Sequence, residues 1–159
     1  QRQIGAGLDR QPVLRLAGGD REARVDDDDR HLALDGLRQR FQVIILSDTF
    51  YEFAMPLMRQ LGMPTLFCHK LEADASGTLV DYHLRMPNQK REAVKRFREL
   101  NFRTIAVGDS YNDTAMLGEA HAGILFHPPE NVVREFPQFP VTMNYAELDS
   151  EIRKASARI

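Results

Sequence analysis

Three observations predict an α/β fold, a parallel sheet with crossover helices. Short apolar runs rich in β-branched residues recur at residues 42–46 (QVIIL), 104–107 (TIAV) and 122–126 (AGILF). Segments with helical spacing of apolar residues separate them. The first two runs stop at polar loops, Ser47-Asp48-Thr49 and Gly108-Asp109-Ser110, as buried parallel strands do at their carboxyl ends.

Each element has its own signal. After the strand at 42–46, Phe50, Phe53, Ala54, Leu57, Met58 and Leu61 follow helical spacing as far as Gly62, a natural stop. Pro56 inside that pattern predicts a kink or a restart. Residues 65–68 read as a second short strand. Residues 66–72 and 78–84 flank the turn-rich stretch 73–77 and read as a hairpin. Asn88 is placed to cap a helix reaching Leu100, with Ala93, Val94 and Phe97 on one face. The strand at 104–107 leads to a helix over 112–120, and the strand at 122–126 to a short helix over 128–136. A last strand near Val141 and a helix from Tyr145 complete the pattern.

Composition places the break in the chain. Of 159 residues, 43% are hydrophobic and 28% charged, the range of a globular protein. A net charge of -2 gives no global attraction to nucleic acid. The single cysteine, Cys68, excludes an intramolecular disulfide framework and a multi-cysteine zinc site, and reads as a small core residue. No apolar run nears the about 18 residues that a membrane span requires, so a soluble, cytoplasmic protein is expected. Residues 1–36 hold six Arg, no Lys, no aromatic residue and the acidic run Asp26-Asp27-Asp28-Asp29. That segment lacks the apolar surface to offset ordering entropy, and disorder is expected, with the acidic run a solvated charge run. From Leu37 onward bases and acids balance at 15 each, and residues 37–159 read as the folded unit.

Ligands of an open α/β sheet bind beyond the carboxyl ends of its strands, which directs attention to Ser47, Asp109 and Asp113. A Ser after a strand is usually a turn residue, and a Lys at a helix start, here Lys90, is usually solvated. Asp109 and Asp113 also suit helix capping. Yet two acids four residues apart, at a strand–helix junction, can surround one hard cation, and oxygen donors with few protein contacts suit Mg²⁺. The Gly before Asp109 is expected to let backbone approach a ligand closely. His69 and His127 follow strand ends without metal-ligand spacing and read as structural. A hydroxyl, an ammonium and an acid pair are together the parts that phosphoryl transfer needs.

This order resembles the haloacid dehalogenase superfamily of phosphatases. Ser47 matches its second motif, Lys90 its third, and Asp109 and Asp113 in GDSYND its fourth. The strings FQVIILSDTFYEF, PLMRQLG, CHKLE, GDSYND and HAGILFHPPENVVREFPQFP are similar to the phosphoserine phosphatase/homoserine phosphotransferase family over about residues 37–159. The resemblance implies a Rossmann-like parallel sheet and Mg²⁺-dependent hydrolysis of phosphoserine, or phosphoryl transfer to homoserine, through an aspartyl-phosphate. It also implies that Ser47 and Lys90 hold the phosphoryl group, that Asp109 and Asp113 hold Mg²⁺, and that Asp48, Thr49 and Asn112 contribute to substrate binding. A phospho-accepting receiver domain combines similar residues, but with acids first and Lys last, the reverse of the order here.

The family's first motif, Asp-x-Asp/Glu-Gly after an apolar strand, is not found before Ser47. Neither residues 13–20 (VLRLAGGD) nor Asp35-Gly36 supplies an apolar strand ending in such acids. That strand lies, in this fold, between those carrying Ser47 and Asp109, and the helical cap that follows it is missing as well. Residues 1–36 are therefore expected to be a replaced or mistranslated segment, and this polypeptide to be inactive or nearly so. A binding remnant completed by a partner's strand is the alternative. Oligomeric state is not legible in the sequence.

Overall fold

The computed structural model describes residues 27–159. Twelve elements follow one another: α1 (Asp27–Arg38), β1 (Ile44–Phe50), α2 (Tyr51–Gln60), β2 (Thr65–Ala73), β3 (Leu79–His83), α3 (Gln89–Glu99), β4 (Ile105–Gly108), α4 (Tyr111–Glu119), β5 (Ala122–Phe126), α5 (Glu130–Glu135), β6 (Val141–Thr142) and α6 (Tyr145–Ser156). The alternation of strand and helix is that of an α/β fold.

The strands form two three-stranded sheets, ordered β1-β2-β3 and β4-β5-β6. β1 and β2 are parallel, β2 and β3 antiparallel, and β4, β5 and β6 all parallel. Among the described residues β1 and β4, the strands leading to Ser47 and Asp109, each end a sheet and are not paired with one another. That is the place where the resemblance puts a further strand.

The core follows the two-residue period of β5. Leu125 faces Val94 of α3, Met116 and Leu117 of α4, and Val132 of α5. Its neighbours Ile124 and Phe126 turn to the other face, against Leu148 and Ile152 of α6, with Leu37 and Phe41 packed alongside. Helices thus cover both faces, as an apolar parallel strand requires. Gly123 permits the close fit of α4: a Cβ there would come within 2.7 Å of the Leu117 carbonyl oxygen. α6 starts with a firm cap, in which the Glu147 N–H donates to Asn144 Oδ1 at 2.9 Å and the Met143 N–H donates to Glu147 Oε2 at 2.7 Å.

Several expectations need correction. Residues 27–36 are helical rather than disordered, because the end of α1 is anchored: Leu37 packs on the α6 face, Arg38 donates to the Leu61 carbonyl at 3.0 Å, and Arg40 pairs with Asp149. The same expectation for residues 1–26 falls outside the described residues. β1 does not stop at Leu46 but runs to Phe50, and the two strands expected at 65–68 and 66–72 are one, β2. α2 continues through Pro56 to Gln60 without a restart, and Gly62 follows with φ +69°. Asn88 precedes α3 but does not cap it through its side chain. It sits in the left-handed region (φ 49°), whereas a capping side chain is aimed from extended backbone.

Candidate functional site

Ser47, Asp48 and Thr49 occupy an irregular stretch of β1. Leu46 pairs with Phe67 and Phe50 with His69, so three residues of β1 face the single residue Cys68 of β2. The surplus residues bow out of the ladder, as in a β-bulge, and carry the polar run away from the strand line. Within it the Thr49 N–H donates to Ser47 Oγ at 3.3 Å.

The start of α3 closes over this bow. Gln89, 4% exposed, donates from Nε2 to the Ser47 carbonyl at 2.5 Å and to Asp48 Oδ1 at 3.1 Å. Lys90 follows it, and its Nζ lies 2.9 Å from both Asp48 Oδ2 and Asp113 Oδ1. One ammonium thereby joins the end of β1 to the start of α4, bridging the two sheets. Gln89 was not singled out from the sequence; a Gln beginning a helix carries no pattern that separates a buried tether from a solvated side chain.

Asp113 is divided between two tasks. Oδ1 accepts from Lys90, while Oδ2 accepts from the Asp109 N–H at 3.0 Å and from Ser110 Oγ at 3.3 Å. Capping and the Lys90 contact therefore coexist in one residue, with Ser110 rather than Asp109 at the cap position. Gly108 makes this possible: a Cβ on it would lie 2.4 Å from the Asp113 Cβ, so the backbone here approaches the Asp113 side chain closely.

Electrostatics follow the contacts. Burial opposes the charge on Lys90, but its hydrogen bonds to Asp113 and Asp48 outweigh burial and hold its pKa above the ordinary value. Burial likewise works against ionised Asp113 and Asp48, and in both the Lys90 contact prevails and lowers the pKa. Asp109 differs: burial, then the Asp113 carboxyl beside it, push it up to about 6. Of the two neighbouring acids, Asp113 has a cation against it and Asp109 pairs with none among the described residues. Their hard oxygen donors suit Mg²⁺, which the pair fits by donor chemistry.

The remaining expected residues lie unevenly about this cluster. Asp48 is within it, Thr49 touches it through Ser47, and Asn112 is exposed on the first turn of α4 with no hydrogen bond to it among the described residues. His69 is buried, accepts from the Arg85 N–H at Nδ1 (3.1 Å) and packs its ring against Phe50. Cys68 is buried and its thiol is pushed up to about 11, first by burial and then by Glu52.

A hydroxyl, an ammonium and two acids thus come together where the polar ends of β1 and β4 meet the start of α3. The chain belongs to the haloacid dehalogenase-like hydrolase family, whose sequence model matches residues 6–121. It is 65% identical over 125 residues to the phosphoserine phosphatase ThrH of Pseudomonas aeruginosa, covering 79% of this chain and 61% of that protein. It is 62% identical over 125 residues to the phosphoserine phosphatase of Pseudomonas syringae pv. tomato, covering 79% of this chain and 53% of that protein. The chain therefore spans less than two thirds of the length of either curated relative.

Solved structures agree at the level of the fold. A substrate-bound phosphoserine phosphatase complex matches with a TM-score of 0.62 at 22% identity, over 76% of this chain and 61% of that one. A phosphoserine phosphohydrolase-like protein from Francisella tularensis subsp. tularensis SCHU S4 matches with 0.63 at 24%, over 79% and 62%.

Proposed function

We propose that this chain carries the phosphate- and Mg²⁺-binding part of a phosphoserine phosphatase site, of the kind that can also pass the phosphoryl group to homoserine. The observation that carries the reading is the Lys90 ammonium, held 2.9 Å from both Asp48 and Asp113 with Ser47 tethered alongside through Gln89. Lys90 and the Ser47 hydroxyl present a cation and a donor to the oxygens of a phosphomonoester. Asp48 and Thr49, and Asn112 at the rim, contribute to the substrate's surroundings. Asp109 and Asp113 are the residues to hold Mg²⁺, which when bound neutralises charge on phosphoryl oxygens. Charge neutralisation of that sort is most of what phosphoryl transfer asks of a protein.

The covalent route through an aspartyl-phosphate also requires a nucleophilic Asp and a neighbouring general acid. The Asp-x-Asp/Glu-Gly signature that would supply both is not in this sequence. This polypeptide by itself is therefore assigned binding without turnover. The outer edges of β1 and β4, unpaired among the described residues, favour a second reading in which a partner's strand completes the site.

The test is calorimetric titration of phosphoserine with and without Mg²⁺, run beside a phosphate-release assay. Mg²⁺-dependent binding that is lost in Lys90→Ala and Asp109→Asn, with no phosphate released, is the expected result. Release of phosphate by the wild-type chain refutes the assignment of binding without turnover. Failure to bind at all refutes the site.

A further inference from the structure

The β2–β3 hairpin carries a second convergence of side chains, made of residues other than those of the Lys90 cluster. Register pairs Glu72 with Asp81 across the ladder, and Lys70 with His83. By the two-residue period of a strand, Glu72, Asp81 and His83 share one face. A carboxylate oxygen from each acid and a ring nitrogen of His83 all lie within 4.8 Å of one another. The closest pair is His83 Nε2 and Glu72 Oε2, at 2.8 Å.

Two features set this group apart from an ordinary charged surface. Carboxylates directly opposite one another in an antiparallel pair repel, so the ladder holds Glu72 and Asp81 together against their charge. Lys70 has the same face available to it, yet makes no ion pair with either acid among the described residues. The imidazole then changes what the group can bind. Mg²⁺ and Ca²⁺ take all-oxygen sets, whereas a nitrogen donor beside two carboxylates suits Zn²⁺ and its first-row neighbours.

We propose that Glu72, Asp81 and His83 form a binding site for a divalent first-row transition cation, with Zn²⁺ as its representative. Three protein ligands with water in the remaining position is a common zinc arrangement, with ligand distances of roughly 2.0–2.2 Å. The three side chains are exposed, so rotamer changes at the surface bring their donors to that distance without moving the ladder. Binding replaces the His83–Glu72 hydrogen bond and requires His83 neutral. Because β3 pairs with β2 alone among the described residues, the cation cross-links the two strands and stabilises the hairpin in proportion to its occupancy.

The test titrates the complete chain with zinc chloride at neutral pH, following heat and the amide NMR signals of the hairpin. With excess Mg²⁺ present to fill the other candidate cation site, wild type and Asp109→Asn are expected to bind one Zn²⁺ at the hairpin with equal affinity. His83→Ala and Glu72→Gln are expected to bind it about tenfold or more weakly, and the amides of Leu71 and Tyr82 to shift in wild type. Raising Mg²⁺ further leaves the hairpin titration unchanged. Unaltered affinity in His83→Ala, loss of binding in Asp109→Asn, or displacement by Mg²⁺ overturns the proposal. The hairpin substitutions are at exposed positions, and retention of the wild-type circular dichroism shows that each variant is folded.

Discussion

Asp113 accepts Lys90 on one oxygen and three donors at the start of its own helix on the other, which makes its immediate surroundings the least forgiving in the molecule. Gly108→Ala puts a methyl carbon 2.4 Å from the Asp113 Cβ, and either β4 or α4 has to move. Overpacking of this kind is expected to cost about 2 kcal/mol or more, read from urea denaturation midpoints. Asp48 supplies a pH signature. Lys90 and Gln89 lower its pKa against burial, so the folded state favours its ionised form. The stabilisation is present above the unfolded value of about 3.9 and disappears as pH falls through the lower folded value. The stability difference between wild type and Asp48→Asn is therefore expected to be constant above about pH 5 and to close below about pH 4. A difference that instead grew on acidification would contradict the Lys90–Asp48 contact. Ser47, Lys90 and the Asp109/Asp113 pair were legible because each has a marked position, at a strand end or a helix start. Gln89 and the Gly108–Asp113 contact were not legible because they depend on which chain segment lies opposite.

At the scale of elements, apolar runs marked the strands and helical spacing marked the helices from α2 onward, while α1 carried no such signal and β2 was read as two strands. The extension of β1 through Ser47-Asp48-Thr49 was not visible, since pairing of Phe50 with His69 is a long-range fact. The end of α1 was hidden for a similar reason: its anchors, Leu61, Asp149 and the α6 face, are distant in sequence. The strands also differ in their setting. Among the described residues β3 is exposed along its whole length and has one neighbour, while β5 is flanked by β4 and β6 and carries Ile124, Leu125 and Phe126, all buried. Amide hydrogen exchange is accordingly expected to be much faster in β3 than in β5, by about the ratio of local to global opening. Equal protection in the two strands would mean that another molecule covers β3 in solution.

At the largest scale, the described residues form two small sheets joined through helices and through the Lys90–Gln89 tether, with β1 and β4 not paired to one another. The sequence did signal this: it offers no apolar strand between those bearing Ser47 and Asp109 in space. Burial is unequal across the two parts. Ala106, Met116, Leu117, Ile124, Leu125, Phe126, Val132, Leu148 and Ile152 are buried around β4–β6, against Ala54, Met58, Cys68 and His69 around β1 and β2. The β1–β3 part is thus expected to open first. Cys68 reports on it directly, being buried with a thiol pushed up to about 11 and hence nearly unreactive when folded. Its alkylation is expected to begin at lower urea than the loss of far-ultraviolet helix signal. Coincident curves would mean that the two parts unfold as one cooperative unit.

β2 has a further, mechanical meaning. It is a single strand clamped at one end between β1 and α2, propped at Leu71, whose N–H donates to Glu52 Oε2 at 3.1 Å, and paired beyond that with β3 among the described residues, which is the arrangement of a propped cantilever. A load on the hairpin tip turns about the clamped end, where Cys68 faces the bowed residues Ser47-Asp48-Thr49 and His69 ties down the returning chain at Arg85. A load applied at the tip therefore reaches, through His69 and Phe50, the stretch that carries the Ser47 hydroxyl.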